Sequence, residues 1–216
     1  MLFGTGSDFA TEDRSSTQTQ TMYAVRDTLS ADPTVLHRAD LVEQTITSEP
    51  TINGAKYRVI SQNSVDYSTK SGWYLNLISP GADSGSGERI INNLSINSEK
   101  VIFTTMTPSS VPCDYGGKSW LMELSLTTGN PLTYSVFDVN GDNAINDSDT
   151  NNHSYISGKG YDDVINTPTI IKDGSNAVAD GGTETKFISS SSGAIHKVRE
   201  KSTGTNGGRQ SWQQLR

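Results

Sequence analysis

The chain has 216 residues, a formal net charge of −7 and 32% hydrophobic residues. The acidic balance, without a basic stripe that alternates with aromatic residues, argues against nucleic acid as a partner. No apolar run of about eighteen residues occurs, so the sequence predicts no membrane span. The low apolar content, together with many Gly, Ser, Thr and Asn residues, favours short strands joined by polar loops and therefore an all-β fold.

Short runs with β propensity recur along the chain between turn residues, and each of them predicts a strand. In chain order they are 22–26, 57–61, 72–78, 89–94, 101–106, 120–126, 132–137, 169–172, 185–189 and 194–199. Residues 33–44 are the only place where the apolar spacing tolerates a helical turn or two. Polar residues dominate 6–20, 80–88 and 147–166, which predicts long surface loops.

A weak internal repeat accompanies these strands. A hydrophobic strand that ends in small residues is followed by a second strand and a turn, first near residues 2–27, then near 101–129 and again near 187–204. Repeats of about 40–50 residues, lengthened by insertions, are typical of propeller blades. The pattern predicts a partial β-propeller of about three irregular blades.

Residues 138–149 read DVNGDNAINDSD and place oxygen-bearing side chains at loop positions 1, 3, 5, 9 and 12. Calcium takes six to eight oxygen ligands, and a tight loop supplies them by alternating ligand and spacer, with a backbone carbonyl at position 7. The sequence therefore predicts a Ca²⁺ site. Its ligands would be Asp138, Asn140, Asp142, the carbonyl of Ala144, Asn146 and Asp149.

This loop departs from the EF-hand formula at two positions. Asn143 replaces the usual glycine at position 6, where asparagine tolerates the left-handed backbone that a sharp turn needs. Asp149 replaces the bidentate glutamate at position 12, and its shorter reach would weaken binding. Ile145 is expected to point into a core and anchor the loop. The alternative is a turn rich in Asp and Asn that holds no metal, because these residues favour turns on their own.

Other candidate residues carry less information. Cys113 is the single cysteine and is interpreted as a small, partly buried side chain. His37, His153 and His196 lie far apart without metal-ligand spacing and are interpreted as surface residues. Trp73, Trp120 and Trp212 are expected to pack between blades. No nucleophile elbow, phosphate loop or singled-out catalytic carboxylate pair occurs, so the sequence favours a non-enzymatic protein.

Several stretches, in their order along the chain, resemble the PilC/PilY-type proteins, which are tip-associated adhesins and assembly factors of bacterial type IV pili. The stretches are FGTG (3–6), TQTMYAV (19–25), GWYL (72–75), GER (87–89), FTT (103–105) with Pro108 and Pro112-Cys113, GGKSWLMEL (116–124) and GRQSWQQL (208–215). The resemblance covers nearly the whole chain, and the order of these motifs is more specific than any one of them.

The resemblance implies that residues 1–216 form a C-terminal segment of a quinoprotein-like β-propeller with a calcium loop between blade strands. In that family the loop is often shorter, with its last ligand near position 9, where Asn146 stands in place of the usual Asp. Either Asn146 or Asp149 would then complete the metal shell. The resemblance also implies a role in pilus assembly, in control of extension and retraction (twitching motility) and in attachment. The partners would be type IV pilus components such as minor pilins and a surface or host-cell ligand. The place would be the pilus tip or outer membrane of a Gram-negative bacterium.

The N-terminus, MLFGTG, lacks the pattern of a signal peptide. Because full-length proteins of the family are several times longer and carry a signal peptide, the resemblance implies that this chain is a C-terminal fragment or a truncated reading frame. Two other functions stay open: a quinoprotein-like propeller enzyme fragment, and a carbohydrate-binding β domain with a dockerin-like calcium loop. A second copy of the loop would favour a dockerin, and the sequence contains none.

Overall fold

The computed structural model of the chain describes residues 1–27, 35–109, 111, 114–172 and 182–202. Within these ranges the protein is built from β-strands and two short 3₁₀ helices, Thr11–Ser15 and Arg38–Asp40, which confirms the all-β prediction. The strands are β1 Leu2–Gly4, β2 Thr21–Val25, β3 Val42–Gln44, β4 Ile46–Ser48, β5 Thr51–Ile52, β6 Ala55–Ile60, β7 Gly72–Asn76, β8 Ser95–Asn97, β9 Lys100–Pro108, β10 Gly117–Ser125, β11 Thr150–Asn151, β12 Ser154–Tyr155, β13 Gly158–Tyr161, β14 Thr169–Lys172, β15 Thr183–Ser189 and β16 Ile195–Lys201.

These strands form three main sheets and one short hairpin. The first sheet has the order β1-β2-β7-β3, with β3 parallel to β7. The second has the order β4-β6-β13-β10-β9-β8, with β5 also paired to β6. The third is β14-β15-β16, and β11 pairs with β12. Pairing within the second and third sheets is antiparallel throughout.

The second sheet is covered on both faces. One hydrophobic cluster joins Trp73 and Leu75 of the first sheet to Phe103 and Met122 of the second. A second cluster packs the opposite face of the second sheet against the third sheet; it includes Tyr57, Ile102, Leu121, Ile188 and Val198. Burial on both faces explains why β9 carries an unbroken apolar run, VIF, instead of alternating with polar residues.

Two arginines of the predicted strands 57–61 and 89–94 are buried. The guanidinium of Arg58 lies 2.6 Å from Glu49 and 2.7 Å from Glu88, and its carbon is 4.0 Å from the ring centroid of Trp120. Arg89 donates to the carbonyls of Ser7 and Ser16 at 2.6 and 2.9 Å. Hydrogen bonds from the buried guanidinium of Arg89 therefore hold the polar segment 6–20 against the rest of the protein.

Most predicted strands are present, but some predictions were wrong. Residues 89–94 and 132–137 form only isolated bridges, Arg89 with Met106 and Phe137 with Glu200. Of the possible helix at 33–44, the described part contains one 3₁₀ turn and then β3. The predicted loop 147–166 contains β11, β12 and the sheet strand β13.

Several other predictions are settled only in part. The count of three blades stays a prediction. Cys113, Trp212 and the stretch 208–215 lie outside the described residues. A search of the described ranges finds no helix with the length and apolar character needed to cross a bilayer.

Candidate metal centre

The loop 138–149 lies between the second and third sheets. Its N-terminal end is held by β16: Phe137 forms a bridge with Glu200, and the amide of Lys201 donates to the carbonyl of Val136 at 3.1 Å. Its C-terminal end leads directly into β11. The loop is thus attached at both ends to regular structure, as an insertion on a sheet edge would be.

Asp149 closes the loop from inside. Its side chain is fully buried, and its Oδ1 accepts the amides of Val139 and Asn140 at 2.8 and 3.2 Å. Its Oδ2 accepts the amide of Asn146 at 2.9 Å. Three charge-assisted hydrogen bonds satisfy this buried carboxylate and bring both ends of the loop together.

The remaining predicted ligands form a series of side-chain-to-backbone turns. Asp138 accepts the amides of Gly141 and Asn143 at 2.7 and 2.9 Å, and Asn140 accepts that of Asp142 at 2.9 Å. Asp142 in turn accepts the amide of Ala144 at 2.8 Å. Asparagine and aspartate form such turns readily.

The prediction for Asn143 is confirmed, because its φ of 64° lies in the left-handed region. The prediction for Ile145 is wrong. Ile145 is only partly buried and belongs to neither hydrophobic cluster, whereas Val139 is 3% exposed and packs in the second one. The core contact therefore comes from position 2 of the loop, two residues after the bridge between Phe137 and Glu200.

Neighbouring elements hold the loop backbone. Asn53, in the turn between β5 and β6, donates its side-chain amide to the carbonyls of Val139 and Asn140 at 3.3 and 3.0 Å. The hydroxyl of Tyr57 donates to the carbonyl of Asp138 at 3.5 Å, and Arg199 of β16 donates to that of Asn143 at 3.0 Å. These contacts were not predicted, although the Asn53-Gly54 pair is itself a strong hairpin signal.

The negative charge of the loop acts on its surroundings. Burial raises the pKa of Tyr57, and the carboxylates of Asp138 and Asp149 raise it further. Burial lowers the pKa of Lys159, while Asp138 acts in the opposite direction. Lys159 and Tyr57 are register partners on β13 and β6, so both side chains stand on one face of the sheet, near the loop.

The chemistry of the predicted ligands and their order along the loop both suit a hard cation. Every predicted ligand is an oxygen, and a carboxylate oxygen that accepts one amide keeps a further lone pair. Among the described residues, however, no three His, Cys, Asp or Glu side chains are gathered closely enough to hold a metal ion. The carboxylates of Asp138, Asp142 and Asp149 are held by backbone amides, and only Asn140 and Asp142 touch through their side chains, at 3.1 Å.

One histidine prediction was wrong. His37 and His153 are exposed as expected, but the ring of His196 is partly buried and its Nε2 lies 3.0 Å from Asp163. Asp163 also accepts the hydroxyl of Ser192 at 2.7 Å. Because the serine bonds to the carboxylate and not to the imidazole, this arrangement does not activate a nucleophile.

No family model matches the chain. Three curated proteins are similar in sequence. A type IV pilus biogenesis factor PilY1 homolog of Xylella fastidiosa (strain Temecula1 / ATCC 700964) is 34% identical over 130 residues, which is 60% of this chain and 9% of that protein. A second homolog from the same strain is 29% identical over 197 residues, 91% of this chain and 16% of that protein. The type IV pilus biogenesis factor PilY1 of Pseudomonas aeruginosa (strain UCBPP-PA14) is 28% identical over 181 residues, 73% of this chain and 15% of that protein.

A solved structure is also similar. The crystal structure of the Pseudomonas aeruginosa PilY1 C-terminal domain, a β-propeller, superposes with a TM-score of 0.70 at 21% identity, over 93% of this chain and 41% of that one. At this identity the match shows the fold alone. The chain spans less than a fifth of the length of each curated relative. In sequence the chain is similar to PilY1-type pilus biogenesis factors, and in fold it matches part of a PilY1 C-terminal domain.

Proposed function

We propose that this chain is a non-enzymatic, calcium-binding segment of a type IV pilus biogenesis protein. The names of the three curated relatives support the pilus role. The observation that carries the calcium role is the loop 138–149, in which oxygen donors recur at ligand spacing around a buried carboxylate, Asp149. The donors of the proposed site are Asp138, Asn140, Asp142, the carbonyl of Ala144, Asn146 and Asp149.

In this proposal the loop holds the adjoining edges of the second and third sheets in place. Bound calcium would supply positive charge that offsets the carboxylates of Asp138, Asp142 and Asp149. Asp149 holds the two ends of the loop together, and Asn53 and Arg199 hold its backbone against the second and third sheets. The ordered loop then fixes the adjoining sheet edges. Because calcium would bind the ordered state alone, it would stabilise the protein by mass action.

The proposed setting is the bacterial surface. The chain would act at the pilus tip or outer membrane, contact pilus components such as minor pilins, and support pilus assembly, the balance of extension and retraction, and attachment to a surface or host cell. Only the general pilus role follows from the relatives' names, so each of these details is part of the proposal.

Calorimetric titration of Ca²⁺ into the wild type and two variants tests the metal site. Asp138→Ala removes a ligand, and Asp147→Ala removes an exposed carboxylate from the same loop at a position that is not a ligand. We expect binding heat in the wild type and in Asp147→Ala, and none at the same concentration in Asp138→Ala. Absence of heat in the wild type, or equal binding in both variants, rules out the site.

The pilus role is tested in cells. The full-length protein that contains this chain is replaced by its Asp138→Ala or Asp147→Ala form, and surface pili and twitching zones are measured. We expect both to fall with Asp138→Ala and to stay at the wild-type level with Asp147→Ala. Normal pili and twitching after deletion of the whole gene would refute the pilus role, whatever the outcome of the calcium titration.

A further inference from the structure

Five charged side chains are buried together where the second sheet meets the third. Lys100 comes from β9, Glu123 from β10, Glu184 and Lys186 from β15, and Glu200 from β16. Each of the five is 0% exposed. Buried charges are costly unless they are paired, so the balance of charge inside this cluster is informative.

Each lysine contacts all three carboxylates. The Nζ of Lys100 lies 2.7 Å from Glu123, 2.9 Å from Glu184 and 3.8 Å from Glu200. The Nζ of Lys186 lies 2.5 Å from Glu123 and 3.2 Å from Glu184, and it also bonds to Glu200. Asn97 donates to the second oxygen of Glu184 at 2.9 Å.

The charges do not cancel. With every group ionised, three carboxylates and two ammonium groups leave one net negative charge inside the protein. Among the described residues no third cation lies within ion-pair distance of the cluster. The other titratable groups nearby are Glu99, which is itself acidic, and the hydroxyls of Tyr134 and Tyr161, which are buried without hydrogen-bond partners. Lys201 faces the ring of Tyr134, with its Nζ 5.8 Å from the centroid.

The excess negative charge of the cluster is least compensated at one carboxylate oxygen. The Oε1 of Glu200 is buried and has no hydrogen-bond partner, while its Oε2 bonds to Lys186. The Oε2 of Glu123 also lacks a well-directed hydrogen bond, but it lies 2.7 Å from Lys100, so its charge is compensated. A buried, unpaired anionic oxygen is unfavourable, and a proton on it removes the excess charge.

We propose that the cluster binds one additional proton at neutral pH and that Glu200 carries it on Oε1 as a neutral carboxylic acid. The proton comes from solvent on folding and leaves two carboxylates facing two ammonium groups. Glu123 and Glu184 stay ionised in this arrangement. Burial alone raises the pKa of both, but the two lysines outweigh it and hold the pKa of each below its usual value.

The consequence is a pH-sensitive junction between the second and third sheets. Because Glu200 keeps its proton in the folded protein and loses it in the unfolded chain above about pH 4.3, stability from this group is fully present below that pH. It is lost as the pH rises through the folded value. Raising the pH into the alkaline range therefore loosens the packing of β16 against the second sheet.

Infrared spectroscopy and two substitutions in the full chain test the proposal. Glu200→Gln imitates the neutral acid, whereas Glu123→Gln removes an ionised partner of both lysines. At pH 7 we expect a protonated carboxyl band in the wild type that is absent from Glu200→Gln. We expect Glu200→Gln to change the folding equilibrium constant by less than about tenfold and Glu123→Gln to lower it by about 100-fold or more. Between pH 6 and pH 9 the wild type should lose stability relative to Glu200→Gln.

Three results would overturn the proposal. One is the absence of a protonated carboxyl band in the wild type at pH 7. Another is the persistence of that band in Glu200→Gln, which would place the proton elsewhere. The third is equal destabilisation by both substitutions. If Glu200→Gln does not fold, the wild-type spectrum at pH 7 still decides, because a protonated carboxyl band must be present there.

Discussion

The side-chain amide of Asn53 donates a hydrogen bond of 3.0 Å to the backbone carbonyl of Asn140, across 87 residues of sequence. This bond joins the β5–β6 turn to the loop that carries the proposed calcium ligands. Asn53 has a φ of 50° and Gly54 a φ of 78°, as expected for the tight turn of a two-residue hairpin. The Asn53-Gly54 turn therefore connects β5 to β6 and also holds the backbone of the loop 138–149.

Asn53→Gly separates these two tasks, because glycine accepts the left-handed backbone but has no side-chain amide. We expect a loss of about 1 kcal/mol in the free energy of unfolding and weaker calcium binding, measured by urea denaturation and calorimetry. Asn152→Gly is the control, since Asn152 is an exposed turn residue with a φ of 48°. Similar calcium affinities in the two variants would contradict a role of Asn53 in ordering the loop.

Asp149→Asn should destabilise the protein even without calcium. The buried carboxylate accepts three amides, and an asparagine side chain would turn an NH₂ group towards at least one of them. We expect a loss of about 1–3 kcal/mol, measured by urea denaturation in the presence of a chelator. Asp147→Asn, on the exposed side of the same loop, should change stability by less than about 0.5 kcal/mol. If both variants are as stable as the wild type, the loop is not closed by Asp149.

Arg58→Met should be strongly destabilising because it leaves Glu88 buried without its cation. Glu88 is 2% exposed, and Arg58 and Thr105 both donate to it, at 2.7 and 2.6 Å. Breaking a buried ion pair on one side costs about 3–5 kcal/mol. Arg14→Met, at an exposed position, is the control. Thermal denaturation at pH 7 should give a much lower melting temperature for Arg58→Met than for Arg14→Met. A small change in the melting temperature of Arg58→Met would show that water reaches Glu88.

The Arg58–Glu88 pair also has a predictable pH dependence. Burial raises the pKa of Glu88, but Arg58 outweighs it and holds the pKa below its usual value. Stability from this carboxylate is therefore present above the unfolded value of about 4.3 and is lost as the pH falls through the lower folded value. The difference in the free energy of unfolding between the wild type and Arg58→Met should become smaller in that acidic range.

Asp163→Asn should weaken the contact between the end of β13 and the third sheet. Burial raises the pKa of Asp163, but hydrogen bonds from Ser190, Ser192 and His196 outweigh it and hold the pKa below its usual value. We expect a loss of about 1–3 kcal/mol at pH 6–7, which disappears as the pH falls below about 4. Asp162→Asn is a matched control, because the side chain of Asp162 is 74% exposed. Equal effects at both positions would contradict the structural role of Asp163.

Local sequence signals predicted much of this fold and the outline of the candidate site. The strand signals at 72–78, 101–106 and 120–126 were sufficient because short apolar runs bounded by turn residues act within a few positions. The turn at Asn143 was predictable for the same reason, since its left-handed backbone depends on the residue itself.

The strand β13 could not be predicted because its glycines are typical of a loop. In the fold these glycines allow close approach: a Cβ on Gly158 would lie 2.5 Å from the sulfur of Met122, and one on Gly160 would lie 3.1 Å from the ring of Trp120. The strand exists because its neighbours β6 and β10 pair with it, and that pairing is not encoded within the segment.

The sequence by itself determined the strands near 72–78, 101–106 and 120–126, the turn at Asn143 and the order of oxygen donors in 138–149, because each depends on neighbouring residues in the chain. Only the tertiary structure decided which side chains support that loop and which charges are buried together. Lys186 and Glu123 are 63 residues apart, and Lys100 and Glu184 are 84 apart. Their ion pairs depend on two sheets packing face to face and excluding water, and charged residues in polar segments carry no local sign of that burial.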